Sequence, residues 1–124
     1  MNILLVEPSQ LLARAYTAAL ERVGHEVVCC SGAQEAIHAL DEGLAELIVL
    51  ELQLGGHSGI EFLYELRSYP EWQSLPVVLN TFAKSLQKPD QVFDRLGVTH
   101  YLYKPMTSLR QLVRAVDEAS LLRV

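Results

Sequence analysis

The sequence predicts an α/β protein with a five-stranded parallel sheet and helices on both faces. Two observations lead to this prediction: five short runs rich in Val, Ile and Leu, and longer amphipathic segments that separate them. Near-continuous apolar runs are typical of parallel strands that are buried on both faces. Strands that alternate with helices favour right-handed crossovers, which place helices on both sides of the sheet. The 124 residues suffice for one domain, so a single domain is expected over 1–124.

The apolar runs and their flanking residues define the first elements. The predicted strands cover residues 3–6, 27–30, 47–50, 77–79 and 99–103. The first predicted helix lies between Ser9, a suitable N-cap, and Gly24, a suitable C-terminal stop. Its predicted apolar face consists of Leu11, Leu12, Ala15, Ala19, Leu20 and Val23.

Four further helices complete the alternation. The second is predicted over 33–40, and the third begins at residue 59. The fourth is predicted over 89–97, with Pro89 in its first turn, and the fifth over 108–122. The residues expected to face the core are Ile60, Phe62, Leu63 and Leu66 in the third helix, and Leu109, Leu112, Val113 and Val116 in the fifth.

Charge and composition exclude several functions. Fifteen acidic and ten basic residues give a net charge of −5, so a basic face for nucleic acid or an anionic membrane is not expected. No apolar run is long enough to span a bilayer, and no signal peptide is recognisable. Adjacent cysteines rarely form a disulfide, so Cys29 and Cys30 are expected to be free thiols in a reducing cytoplasm. The sequence therefore predicts a cytoplasmic protein.

Polar residues follow the ends of four predicted strands. They are Glu7 after the first strand, Glu51 after the third, Thr81 after the fourth and Lys104 after the fifth. Because the carboxyl ends of parallel strands share one edge of a sheet, these side chains are expected to meet there. Any one of them alone is compatible with an ordinary solvated strand end. Four together favour a functional site.

In these segments the chain resembles the receiver domain of bacterial two-component response regulators. The segments are ILLVEPS at 3–9, LIVLELQLGGHSG at 47–59, LPVVLNT at 75–81 and YLYKP at 101–105. The separations from Glu7 to Glu51 and from Glu51 to Thr81 are those of the family. The resemblance implies a flavodoxin-like fold in which the five strands have the order 2-1-3-4-5.

The resemblance implies a phosphorylation switch. In the family, an aspartate after the third strand accepts a phosphoryl group from a histidine kinase, beside a Mg²⁺ held by acids after the first strand. By position, the acceptor is Glu51, and the acid positions hold Glu7 and Pro8. Thr81 and Lys104 correspond to the residues that contact the phosphoryl oxygens.

The resemblance implies two further features near the fifth strand. Tyr101 corresponds to the switch aromatic, which moves inward when the site is occupied. The bond between Lys104 and Pro105 corresponds to a cis peptide bond in the family, so a cis bond is expected here.

Three of the departures from the family concern the acceptor, the metal ligand and the approach to the site. Glu51 replaces the aspartate, and the extra methylene moves the carboxylate outward by about 1.5 Å. Pro8 replaces the acid that binds the metal most directly, which leaves Glu7 and Glu51 as residual metal candidates. Phe82 stands where the family has a small residue, and its ring is expected to cover the approach.

These departures predict an atypical receiver, or pseudo-receiver, which is not phosphorylated on an aspartate, needs no cofactor and binds Mg²⁺ weakly or not at all. Such a chain is a signalling module and not an enzyme. One alternative is a receiver that a histidine kinase still phosphorylates at a non-standard residue. Glu51 itself has two interpretations: a carboxylate that pairs with Lys104 and Thr81 and mimics the phosphorylated state, or simple loss of the site.

The predicted partner is a protein, namely a histidine kinase, an output protein or another regulator. The family contacts partners through the fourth helix, the fifth strand and the fifth helix. In this chain, that face includes Asp90, Gln91, Asp94, Tyr101, Tyr103, Arg110 and Arg114. The family's ion-paired dimer is not supported, because Thr99 and His100 replace its acidic residues. A homodimer through another face stays open.

Overall fold

A computed structural model describes residues 1–43, 45–84 and 90–122. In these residues the strands are β1 (Asn2–Val6), β2 (Glu26–Cys30), β3 (Leu47–Leu50), β4 (Gln53–Leu54), β5 (His57–Ser58), β6 (Val77–Thr81) and β7 (Val98–Tyr103). The helices are α1 (Gln10–Arg22), α2 (Ala33–Asp41), α3 (Gly59–Ser68), α4 (Asp90–Arg95) and α5 (Leu109–Leu121). Short 3₁₀ turns cover Pro70–Trp72 and Lys104–Met106.

Five of the strands form the predicted parallel sheet. Their order is β2-β1-β3-β6-β7, which is 2-1-3-4-5 when only the strands of this sheet are counted. The difference in numbering comes from a small antiparallel hairpin, in which β4 pairs with β5. The sequence analysis did not predict this hairpin, because strands of two residues are too short to show an apolar period.

Burial of the strands depends on their place in the sheet. The central strands β1, β3 and β6 are buried almost throughout, as predicted. The edge strand β2 is largely exposed, with Val28 at 51% and Cys29 also at the surface. All six residues of the other edge strand, β7, are half-buried. Burial on both faces was expected for all five strands, and this is wrong for the edge strands β2 and β7. Each edge strand has only one neighbouring strand, so it is less covered than a central strand.

Helices cover both faces of the sheet and divide the core into two layers. On one face, α1 and α5 pack against the sheet through Leu20, Leu112 and Val116. On the other face, α2 and α3 pack through residues such as Leu40 and Phe62. The polar strand ends project beyond both layers at one edge of the sheet.

At the helix ends, the capping residues predict the structure better than the apolar pattern does. The Ser9 hydroxyl accepts a hydrogen bond from Leu12 N at 3.2 Å, which confirms the predicted N-cap. Leu11, at 79% exposed, Val23, Ile60 and Leu109 are all exposed, so their predicted inward positions are wrong. Leu11 and Leu109 lie in first turns that extend past the core, and Val23 is the C-cap of α1.

The start predicted for the fourth helix, Pro89, lies outside the described residues, within which α4 begins at Asp90.

Every peptide bond among the described residues is trans, so the cis bond expected between Lys104 and Pro105 is wrong. Pro105 lies in the 3₁₀ turn Lys104–Met106, where Thr107 N donates to Lys104 O at 3.1 Å. The fixed φ of a trans proline fits the start of such a turn.

Gly59 brings the start of α3 against the loop that follows β3. Its N–H donates to Leu52 O at 2.8 Å. A Cβ at this position would lie 2.6 Å from Leu52 Cα and 3.0 Å from Glu51 O. The absence of a side chain therefore allows the backbone next to Glu51 to take its position.

Gly59→Ala is expected to lower the free energy of unfolding by about 1–3 kcal/mol, because the backbone of Leu52 must move to admit the methyl group. Gly56→Ala is the matched control, since no heavy atom lies within 4 Å of a Cβ there. Urea unfolding at neutral pH measures both variants. Equal stabilities would contradict the close contact at Gly59.

Candidate functional site

Four polar side chains meet at the carboxyl edge of the sheet. Glu7 follows β1, Glu51 follows β3, Thr81 ends β6 and Lys104 follows β7. All four are buried, and none is more than 8% exposed. The structure thus brings together the four residues that the sequence places at strand ends. Pro8, in contrast, is exposed and has no polar side-chain atom.

The ammonium of Lys104 lies between two carboxylates. Its Nζ is 2.5 Å from Glu7 Oε1 and 2.7 Å from Glu51 Oε1. The other oxygen of Glu7, Oε2, accepts a hydrogen bond from Ser9 N at 3.0 Å. One buried cation therefore joins the ends of β1, β3 and β7, and Glu7 also holds the start of α1.

The carboxylate of Glu51 accepts four hydrogen bonds. Oε1 accepts from Lys104 Nζ at 2.7 Å and from Phe82 N at 3.1 Å. Oε2 accepts from Gln53 N at 2.9 Å and from the hydroxyl of Thr81. Two donors on each oxygen leave little capacity for another ligand on this carboxylate.

The charge state of Glu51 follows from these contacts. Burial alone would raise the pKa of its carboxyl group. The hydrogen bonds from Lys104, Thr81 and the two backbone N–H groups outweigh this effect, and the pKa of Glu51 is lowered below its usual value of 4.5. Glu51 is therefore ionised at neutral pH.

Two aromatic rings flank the ammonium of Lys104. The ring centroid of Phe82, which is 48% exposed, lies 4.6 Å from Nζ on the solvent side. The buried Tyr16 of α1 lies on the protein side, with its centroid at 6.0 Å. The Phe82 ring is close enough for a cation–π interaction with the buried ammonium.

Tyr101 is directed toward the protein interior and contacts the segment after β6. Its hydroxyl donates to Ala83 O, and Ala83 N donates to Thr81 Oγ1 at 3.0 Å. Its ring packs against Phe93 of α4, with centroids 5.5 Å apart. Burial, together with the charge of Glu51, raises the pKa of Tyr101. A chain of hydrogen bonds thus runs from Glu51 through Thr81 and Ala83 to Tyr101.

The predicted interface residues fall on the surface formed by α4, β7 and α5. Asp94, Arg110 and Arg114 are exposed, and Tyr103 is half-buried. The side chains of Asp90 and Gln91 lie outside the described residues. On this face, His100 Nε2 lies 3.5 Å from Glu118 Oε2 of α5.

Sequence reasoning missed two donors of the site, the backbone N–H groups of Gln53 and Phe82. Every residue except proline carries such a group, so no residue type marks these two positions. Their direction is set by the loops after β3 and β6, which only the folded chain reveals.

The parallel sheet of order β2-β1-β3-β6-β7 with helices on both faces is the fold of a signalling receiver module. A family model for the response regulator receiver domain matches residues 3–117. The chain therefore belongs to the response regulator receiver domain family, whose members act in two-component signalling. Within the part of the chain that the structure describes, no helix is long and apolar enough to cross a membrane.

Known relatives and structures agree with this family. The chain is 33% identical to the uncharacterized transcriptional regulatory protein YkoG of Bacillus subtilis over 114 residues, 91% of this chain and 48% of that protein. It is 31% identical to the phosphate regulon transcriptional regulatory protein PhoB of Rhizobium meliloti, over 91% of this chain and 49% of that protein. It thus spans about half the length of these relatives.

The fold likeness extends to a solved CheY-like response regulator receiver domain protein from Methanospirillum hungatei. The TM-score is 0.87 at 20% identity, covering 98% of this chain and 94% of that one.

Lys104→Met is expected to lower the free energy of unfolding by about 3–5 kcal/mol, because it leaves two buried carboxylates without their cation. Lys84→Met is the matched control, since Lys84 is exposed and lies after β6, at the same edge of the sheet. Urea unfolding at pH 7 compares the two. A loss no larger than that of the control would show that the ammonium does not hold the strand ends together.

The free energy of unfolding is expected to decrease as the pH falls below about 4.5, the usual pKa of a glutamate. The pKa of Glu51 is lower in the folded state, so the unfolded chain takes up its proton first on acidification. Glu51→Gln should therefore lose less stability than the native chain between about pH 5 and pH 3, which is the usual titration range of a carboxyl group. Glu61→Gln, at an exposed position of α3, should retain the native pH dependence.

Proposed function

We propose that the chain is a receiver domain that is not phosphorylated, in which Glu51 occupies the position of the phosphoryl group and holds one conformation. Receiver domains act in signalling with kinases and output proteins, and this chain would act there through protein contacts alone. The observation that carries the proposal is the set of four hydrogen bonds to the Glu51 carboxylate.

The donors to Glu51 support a mimic of the phosphorylated state. In the family, the lysine and the hydroxyl residue contact phosphoryl oxygens, and here Lys104 and Thr81 both contact Glu51. The extra methylene of glutamate extends the carboxylate toward these donors by about one bond length, about 1.5 Å. The carboxylate of Glu51 thus already makes the contacts that a phosphoryl group would make with Lys104 and Thr81.

The same contacts argue against phosphoryl transfer to Glu51. An acceptor carboxylate needs a free oxygen in line with the phosphorus, because phosphoryl transfer depends on positioning and electrostatics. Both oxygens of Glu51 already accept two hydrogen bonds, and the ring of Phe82 lies 4.6 Å from the ammonium. A phosphodonor would have to displace these contacts before it could react.

The residues of the pocket do not fit Mg²⁺, which requires several oxygen ligands in octahedral geometry. Glu7 and Glu51 direct one oxygen each at the ammonium of Lys104, so a metal ion would compete with this cation. Pro8 contributes no side-chain ligand. Lys104 is the cation that both carboxylates contact, and the proposal involves no metal-dependent step.

The face formed by α4, β7 and α5 is the proposed contact surface. Tyr101 points inward and is joined to Thr81 through Ala83. The hydrogen bonds of the pocket would therefore set the position of Tyr101 on this face. Exposed Asp94, Arg110 and Arg114 provide charges of both signs around the aromatic residues of β7, which suits a protein partner. The partner would be a histidine kinase, an output protein or another regulator.

Incubation with Mg²⁺ and acetyl phosphate, followed by intact-mass measurement, tests this proposal. The native chain is expected to gain no phosphoryl adduct, whereas the double variant Pro8→Asp with Glu51→Asp is expected to gain one. The single variant Pro8→Asp is the control, because it restores the metal ligand and leaves Glu51 in place. An adduct on the native chain would overturn the proposal, and peptide mapping would then locate the non-standard acceptor.

A further inference from the structure

Arg67 lies in the last turn of α3, and its hydrogen bonds are made outside the pocket of Glu7, Glu51, Thr81 and Lys104. Its guanidinium donates to backbone carbonyl oxygens: Nε to Leu96 O at 2.7 Å and Nη1 to Trp72 O at 2.6 Å. Nη2 donates to Leu75 O at 2.7 Å and to Gly97 O at 3.4 Å. One half-buried side chain therefore contacts four carbonyl groups.

These carbonyl groups belong to two separate segments. Leu96 and Gly97 directly follow α4, whereas Trp72 and Leu75 lie in the connection that leads into β6. A guanidinium has five N–H donors in a rigid planar arrangement, which suits several acceptors in different directions. A lysine ammonium at the same place would not span them. Arg67 thus ties α3 to the end of α4 and to the start of β6.

The end of α4 is shaped to admit this side chain. Gly97 has a φ of +71°, a conformation that favours glycine, and its N–H donates to Asp94 O at 3.1 Å. A Cβ on Gly97 would lie 2.7 Å from Arg67 Nη2. The turn that ends α4 and the guanidinium therefore occupy adjoining space, and a side chain on Gly97 would displace the guanidinium.

Helix α4 has a second attachment, which depends on the pocket. Phe93 packs against the ring of Tyr101, and the hydroxyl of Tyr101 reaches the pocket through Ala83 and Thr81. The contacts of Arg67 lie just past the C-terminal end of the helix, three residues or more after Phe93, and they also include the segment before β6. The two attachments therefore differ in whether they depend on the state of Glu51.

We propose that Arg67 is a clamp that fixes the C-terminal end of α4 to α3 and to the segment before β6. A change at the pocket then reaches α4 through Tyr101 and Phe93 and turns the helix about its clamped end. Arg67 is a positioning residue in this device, since it touches neither Glu51 nor the partner face. The clamp goes beyond the proposed function, because it holds whether or not Glu51 mimics a phosphoryl group.

Amide hydrogen exchange of Leu96 and Gly97, followed by NMR, tests the clamp directly. Arg67→Met is expected to accelerate exchange of these two amides on the order of tenfold, while the amide of Phe82 in the pocket keeps its native rate. Arg67→Lys keeps the charge and should not restore protection. Arg95→Met removes an exposed arginine from α4 and is the matched control. Unchanged exchange at Leu96 and Gly97 in both Arg67 variants would overturn the proposal.

The pivot is tested by adding Glu51→Gln in two backgrounds. With Arg67 present, this change should shift the resonances of Phe93 and leave those of Gly97 in place. With Arg67→Lys, which retains the charge and serves if Arg67→Met fails to fold, both residues should shift. Equal shifts of Gly97 in both backgrounds would overturn the pivot. No shift of Phe93 in either background would count against control by Glu51, while the exchange rates would still decide whether the clamp exists.

Discussion

The ion pair of Lys104 with two carboxylates is the interaction on which the rest of the site depends. A cation and two anions that are this deeply buried are costly to desolvate, and only close contact and further hydrogen bonds offset that cost. Here the ammonium lies within 2.7 Å of both Glu7 and Glu51, and backbone N–H groups satisfy the remaining oxygens. The pocket is therefore held as a unit, and its members come from four different strand ends.

Much of the fold was predictable because it depends on the spacing of apolar residues and on the residues that begin and end helices. The buried runs of β1, β3 and β6 and the N-cap Ser9 follow directly from residue type. The exposure of β2 depends instead on its place at the sheet edge, which no local pattern shows. The trans bond before Pro105 was missed because the expectation came from the family and not from this loop.

The side chains of the candidate site were predictable from the sequence, whereas its backbone donors were not. Glu7, Glu51, Thr81 and Lys104 were recognisable because each polar residue stands at the end of an apolar run, and parallel strands end at a common edge. The donors Gln53 N and Phe82 N, and the carbonyl groups around Arg67, are backbone atoms that every residue carries. Long-range backbone geometry, and not composition, decides where these groups point.

The presence of glutamate at the acceptor position has a consequence for the timing of a signal. A phosphoryl group on an aspartate is added by one protein and lost by hydrolysis, so its signal has a lifetime. The carboxylate of Glu51 is part of the chain and is made once, during translation. Under the proposed function, the strength of the output follows the number of protein molecules in the cell. Synthesis and degradation would then control it, in place of a kinase and a phosphatase.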